Sequence, residues 1–173
     1  KLPRKNHHVV KLHPLEKFVE IFPVGLLEEM INGLFFRLVV ETFGERVFEI
    51  GNYNAAAPAS KFTPVTLTFA AVSVAGDITL STTNANHPQF GTSGLDAGNH
   101  VNRYWVVTNS GVTFTTYTLT LNYIAGAPAA GDIDATATAA AFVATRYDGT
   151  NWNATTLNSI PTTTRIVLTG VTA

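Results

Sequence analysis

The chain has 173 residues, enough for one well-filled core. Only 13% of residues are charged and the formal net charge is −1, so no basic field exists to draw in a phosphate backbone and no nucleic acid partner is expected. Cysteine is absent, which excludes disulfides, thiolate metal sites and a cysteine nucleophile.

The charge is unevenly placed. Residues 1–50 hold seven Lys/Arg and seven Asp/Glu, 14 of the 23 charges, and residues 51–173 hold the other nine. This divides the chain at about residue 46. An N-terminal segment, 1–45, is charged and apolar, and the rest, 46–173, is rich in Thr, Ala, Val, Asn and Gly in short alternating runs, a β composition.

Within 1–45, Val9, Val10 and Leu12, and then Phe18, Ile21 and Phe22, lie in strand-like runs. Leu27, Met30, Ile31, Leu34, Phe35 and Leu38 fall near helical spacing and predict a short helix over 26–43, with a β reading open for 34–40. No apolar run reaches the length of a membrane span, the run over 34–40 being broken by Arg37.

Beyond it, strands are expected over 62–69, 77–80, 104–108, 112–114, 117–124, 141–147 and 165–169, with Trp152 opening a return strand after Asp148-Gly149. Asn109-Ser110-Gly111 and Asp148-Gly149 supply turn chemistry between them. About seven or eight short strands at this spacing predict an all-β fold, an antiparallel immunoglobulin-like β-sandwich. Its core is expected to gather Phe69, Tyr104 or Trp105, Leu119 or Leu121, Phe142, and Ile166 or Leu168.

Chemistry-bearing groups are sparse. Neither a Gly-x-Ser-x-Gly elbow nor a phosphate-cradling glycine loop occurs, and no glutamate follows Glu49, so no acid–base pair can be assembled and an enzyme is not expected. Asp132 and Asp134, two residues apart, would share a strand face and are the candidates for calcium, the one cofactor considered. His87, Asp96 and His100 in one polar loop, with Trp152 in another, are candidate ligand-loop residues.

Several runs carry a family resemblance. Residues 46–52 and 62–69, His87-Pro88, Ser93-Gly94-Leu95, Val101-Asn102-Arg103-Tyr104-Trp105, Thr108-Asn109-Ser110-Gly111, residues 130–134 and residues 146–152 together resemble a recurring module of large bacterial surface proteins exported by type IX secretion, with a broken echo at 9–25. The resemblance implies a non-catalytic β-sandwich of an adhesin, located outside the cell or on its surface. It also implies a closing strand of the form Phe-x-Asp-Phe-x-Val-Gly after a Thr-Gly-Val-Thr run, whereas the sequence ends at Thr169-Gly170-Val171-Thr172-Ala173.

An edge left without that strand is a template for another chain. The leading expectation is therefore a self-associating subunit of a surface fibre or layer, with Val9, Val10, Leu12, Phe18, Ile21 and Phe22 as assembly residues. The rival is an adhesive module that binds surface glycans.

Overall fold

A computed structural model describes residues 44–52, 61–128 and 130–172, together with the backbone of 36–40. These residues form an antiparallel all-β structure whose only helical pieces are single 3-10 turns at Phe90–Thr92 and Ala139–Ala141. The expected strand runs over 9–22, and the helix over 26–35, lie outside the described residues.

Among the described residues fourteen strands follow in chain order: β1 Phe36–Val40, β2 Gly44–Phe48, β3 Gly51–Asn52, β4 Lys61–Phe62, β5 Val65–Phe69, β6 Val72–Val74, β7 Gly76–Thr83, β8 Tyr104–Ser110, β9 Thr113–Phe114, β10 Tyr117–Asn122, β11 Thr145–Tyr147, β12 Trp152–Ala154, β13 Thr156–Leu157 and β14 Arg165–Val171. The larger sheet has the order β13-β14-β10-β5-β2 and a second has the order β1-β7-β8; β3-β4, β6-β9 and β11-β12 are two-stranded.

One part of the predicted helix is corrected. Phe36–Val40 is a strand, paired antiparallel with β7 from Phe36↔Leu80 to Val40↔Gly76. Val39 and Val40 fit a pleated surface well, and a five-residue ladder outweighs a weak helical period that Gly33 already interrupts. The same pairing, with β2 running from Gly44, carries the β module back past the boundary expected at residue 46.

The larger sheet shows why alternation was readable. Thr63, Val65, Leu67 and Phe69 are buried, as are Tyr117, Leu119, Leu121 and Tyr123, and then Ile166 and Leu168. β5 and β10 pair with Leu67 opposite Leu119, and β10 and β14 with Leu121 opposite Ile166, so one apolar face runs across three strands. Ile78 and Leu80 of β7 join the same core from the other sheet, with Trp105 and Val107 of β8 packed against it at the margin. Every group in the expected core set is represented, Trp105 rather than Tyr104 supplying the aromatic of β8.

Two details differ from the simplest alternation. Phe62 is 58% exposed, because the inward positions are the odd ones from Thr63 onward. The run expected over 141–147 enters a ladder only at Thr145. Before it, Ala139–Ala141 turns once and extended Phe142 drops into the core.

Phe142 and Val143 are chain neighbours with opposite fates, 8% and 64% exposed. Phe142→Ala should cost about 3–5 kcal/mol in a urea unfolding titration, and Val143→Ala should stay within about 0.5 kcal/mol. Equal effects would show that the segment has the wrong face inward.

Candidate functional site

The first site is a buried charge cluster built where four chain segments meet. Asp132 is fully buried, and its carboxylate accepts from Arg103 Nε at 2.8 Å and Nη2 at 3.2 Å, from the Ile124 N–H at 2.8 Å, from Asn84 Nδ2 at 2.7 Å and from Lys61 Nζ at 3.2 Å. Arg103 also donates to Thr82 Oγ1 at 2.9 Å.

Burial is the largest single influence on the Asp132 carboxyl and raises its pKa. The hydrogen bonds from Arg103 and Ile124, the guanidinium charge and the Lys61 bond together outweigh it, so the net shift is downward.

Glycines let these segments approach. A Cβ on Gly51 would run into the Lys61 carbonyl across the β3-β4 pair, and one on Gly131 would strike the carbonyls of Ala125 and Gly126. The tight turn at Gly131 sets its own carbonyl against Lys61 Nζ, which donates to it.

Asp134 continues the network outward. It accepts from the His100 N–H at 3.0 Å and Asn102 Nδ2 at 2.6 Å. His100 Nδ1 lies 2.6 Å from Asp134 Oδ2, close enough for an ion pair though off the line of a hydrogen bond. Here too burial pushes the carboxyl pKa up and the donors, led by the His100 N–H, pull it below its ordinary value.

This geometry corrects the calcium expectation. Asp132 and Asp134 are ringed by N–H donors, whereas a calcium ion needs oxygen ligands with free lone pairs. Among the described residues no group of three or more His, Asp or Glu side chains is placed to hold a metal ion.

The second site is an open cavity of about 1050 Å³. Its walls are Trp105 and Val107 of β8, Leu119 and Leu121 of β10, Ile166 and Leu168 of β14, and Phe142. It is thus continuous with the core. β8 ends the order β1-β7-β8, pairing with β7 from Asp77↔Ser110 to Thr83↔Tyr104 and with no further strand among the described residues. Trp105 keeps its indole N–H buried without an acceptor among those residues.

At the rim the ligand-loop candidates separate. His87 and Trp152 come together, ring centres 5.2 Å apart, with Tyr147 5.2 Å and Tyr104 5.1 Å from His87. Trp152 Nε1 donates to Gln89 O and Thr92 Oγ1, both at 3.2 Å, so the indole clasps the β11-β12 hairpin to the loop before β8.

His100 instead stacks near Phe90 at 4.7 Å, with Asn86 Oδ1 2.7 Å from its Nε2. Asp96 turns back on its own loop, accepting from the Gly98 N–H and Asn99 Nδ2, which lower its pKa. Lys61, Asn84, Arg103 and Tyr147 are not among the site residues expected from the sequence. For Lys61 and Arg103 the available signal is scarcity, since they are two of only nine charges in residues 51–173 and a charge that is buried is paired. The assembly residues Val9, Val10, Leu12, Phe18, Ile21 and Phe22 lie outside the described residues.

Comparison of the chain with protein-family models, with curated proteins and with solved structures finds no match.

Asp132→Asn leaves the Arg103 guanidinium buried against a neutral amide and should cost about 3–5 kcal/mol in chemical denaturation. Because the folded-state pKa of Asp132 is depressed, its contribution is complete above the unfolded carboxylate value of about 3.9 and is lost as pH falls through the folded value. The wild-type protein should therefore lose stability below about pH 4 with a steeper slope than Asp132→Asn. Parallel slopes would remove Asp132 from the acid transition.

Proposed function

We propose that this chain is a non-catalytic structural module of a cell surface, an immunoglobulin-like β-sandwich that self-associates by accepting an extended segment of a second copy beside β8. The observation that carries this reading is the outer edge of β8, paired with no strand among the described residues, beside an open cavity walled in part by core side chains.

A sheet edge offers backbone donors and acceptors in register, and the cavity beneath offers side-chain pockets, the two halves of strand addition. Its volume is at the upper end of about 300–1,000 Å³ for small-ligand pockets. Among its walls are the same leucines and isoleucines that form the core, together with polar side chains that include His87, Asp96, His100, Arg146 and Asp148. The buried Trp105 N–H would meet a carbonyl of an incoming backbone.

The donor we assign is the segment within residues 1–25, whose runs containing Val9, Val10 and Leu12, and Phe18, Ile21 and Phe22, supply apolar side chains at strand spacing. Donation between copies makes a head-to-tail contact, and one that does not close into a ring propagates as a filament. The likeness to modules of type IX-exported surface proteins supports an extracellular setting. Among the described residues no helix is long and apolar enough to cross a membrane.

Glycan binding is the competing use of the rim. There, Trp152 and His87 are already engaged with each other and with neighbouring groups, which leaves less of the indole for a sugar face.

Electron microscopy and light scattering of the full chain should show polymers or oligomers. Deletion of residues 1–25 should abolish them, deletion of residues 1–13 should weaken them, and Val106→Lys on the exposed edge of β8 should do the same. If both truncated chains assemble like the full chain, the N-terminal segment is not the donor. A monodisperse full-length monomer that binds glycans would contradict the reading.

A further inference from the structure

Lys61, Asn84 and Asp132 bring an amine, a carboxamide and a carboxylate into pairwise contact. Lys61 Nζ donates to Asn84 Oδ1 at 3.0 Å and to Asp132 Oδ1 at 3.2 Å, and Asn84 Nδ2 donates to the same Asp132 oxygen at 2.7 Å. The Lys61 side chain is 14% exposed and that of Asp132 is 0%, so the amine and the carboxylate meet largely away from water, with half-buried Asn84 beside them.

Their positions are fixed from outside the cluster. β4 sets Lys61, the residue following β7 is Asn84, and Asn102 O accepts from the Asn84 amide at 2.9 Å. Arg103 grips both Asp132 oxygens and fixes that carboxylate beside Lys61 and Asn84.

We propose that Lys61 and Asn84 join in an intramolecular isopeptide bond, with Asp132 carrying protons between them. Lys61 passes one ammonium proton to Asp132, and the neutral amine attacks Cγ of Asn84 to form a new C–N bond. The tetrahedral centre collapses with cleavage of the Cγ–Nδ2 bond. The attacking nitrogen gives up two of its three protons by way of Asp132, and the departing nitrogen takes both and leaves as ammonium.

A secondary amide replaces a primary one, with no change in oxidation state and no co-reactant. The Asn84 amide hydrogen is already aimed at the carboxylate that must protonate the leaving nitrogen. The fold holds nucleophile and carbonyl group together permanently, so a reaction negligible between free side chains proceeds at high effective concentration. It occurs once per chain and needs no turnover. The product ties β4 to the end of β7 independently of any assembly at β8.

The test is the intact mass of the denatured full chain after folding and incubation at neutral pH. The expected result is a mass lower than that of the sequence by about 17 Da, one ammonia, with a branched peptide joining the Lys61 and Asn84 fragments. Lys61→Arg, which keeps the cation on Asp132, and Asn84→Ala should each restore the full sequence mass. An unchanged mass for the unaltered chain after prolonged incubation overturns the proposal. So does a loss of ammonia that persists in Lys61→Arg, which would mark cyclisation at another asparagine.

Discussion

The carboxylate of Asp132 is the group on which the arrangement around β7 and β8 depends. It is fully buried in a region with few charges, and a buried ion costs several kcal/mol unless its partners are complete. Its partners come from β4, from the residue after β7, from the residue before β8 and from the backbone just past β10. Each segment must therefore arrive together, or Arg103 and Asp132 are left facing a low-dielectric interior. The apolar core supplies the main driving force and sets the register of the strands within each sheet. The cluster fixes where β8 begins and hence where its outer edge runs.

That edge is the second constraint. The larger sheet extends through β14 to β13, while β8 closes the smaller one, and core side chains between them line an open cavity rather than a filled interior. The loop before β8 and the β11-β12 hairpin gather at its rim through the His87, Tyr104, Tyr147 and Trp152 rings. Aromatic contacts and indole hydrogen bonds thus hold the rim of the cavity in place. Asp148 does the same for the hairpin. Its carboxylate accepts from the Asn151 and Thr150 N–H groups and from Asn153, which lowers its pKa to about 2 and stiffens the turn at Gly149, where φ is +99°.

The all-β character and most of the core were legible because period-2 alternation is a local signal. Val65, Leu67 and Phe69, or Leu119 and Leu121, announce their face within a single strand. β1 was ambiguous, because Phe36–Val40 carries a composition that serves either period and only its ladder with β7 decides. Short β6 and β13 have too few residues for a period to register. The charge cluster was hidden for a different reason. Lys61 and Asp132 are 71 residues apart and Arg103 and Asp132 are 29 apart, distances at which no spacing rule applies. Asp132 and Asp134 suggest a metal pair in the sequence because their acceptors are visible there, whereas the donors that surround them arrive only with the fold.

The outer edge of β8 is proposed to accept a strand from another copy. The most direct measurement is amide hydrogen exchange across residues 104–110, in dilute monomer and in concentrated or assembled protein. About half of these amides, those pointing away from β7, should exchange fast in the monomer and become protected on assembly, with Trp105 side-chain N–H protection appearing alongside. Protection of the whole strand in the monomer, or fast exchange of the same amides in assembled material, would contradict it.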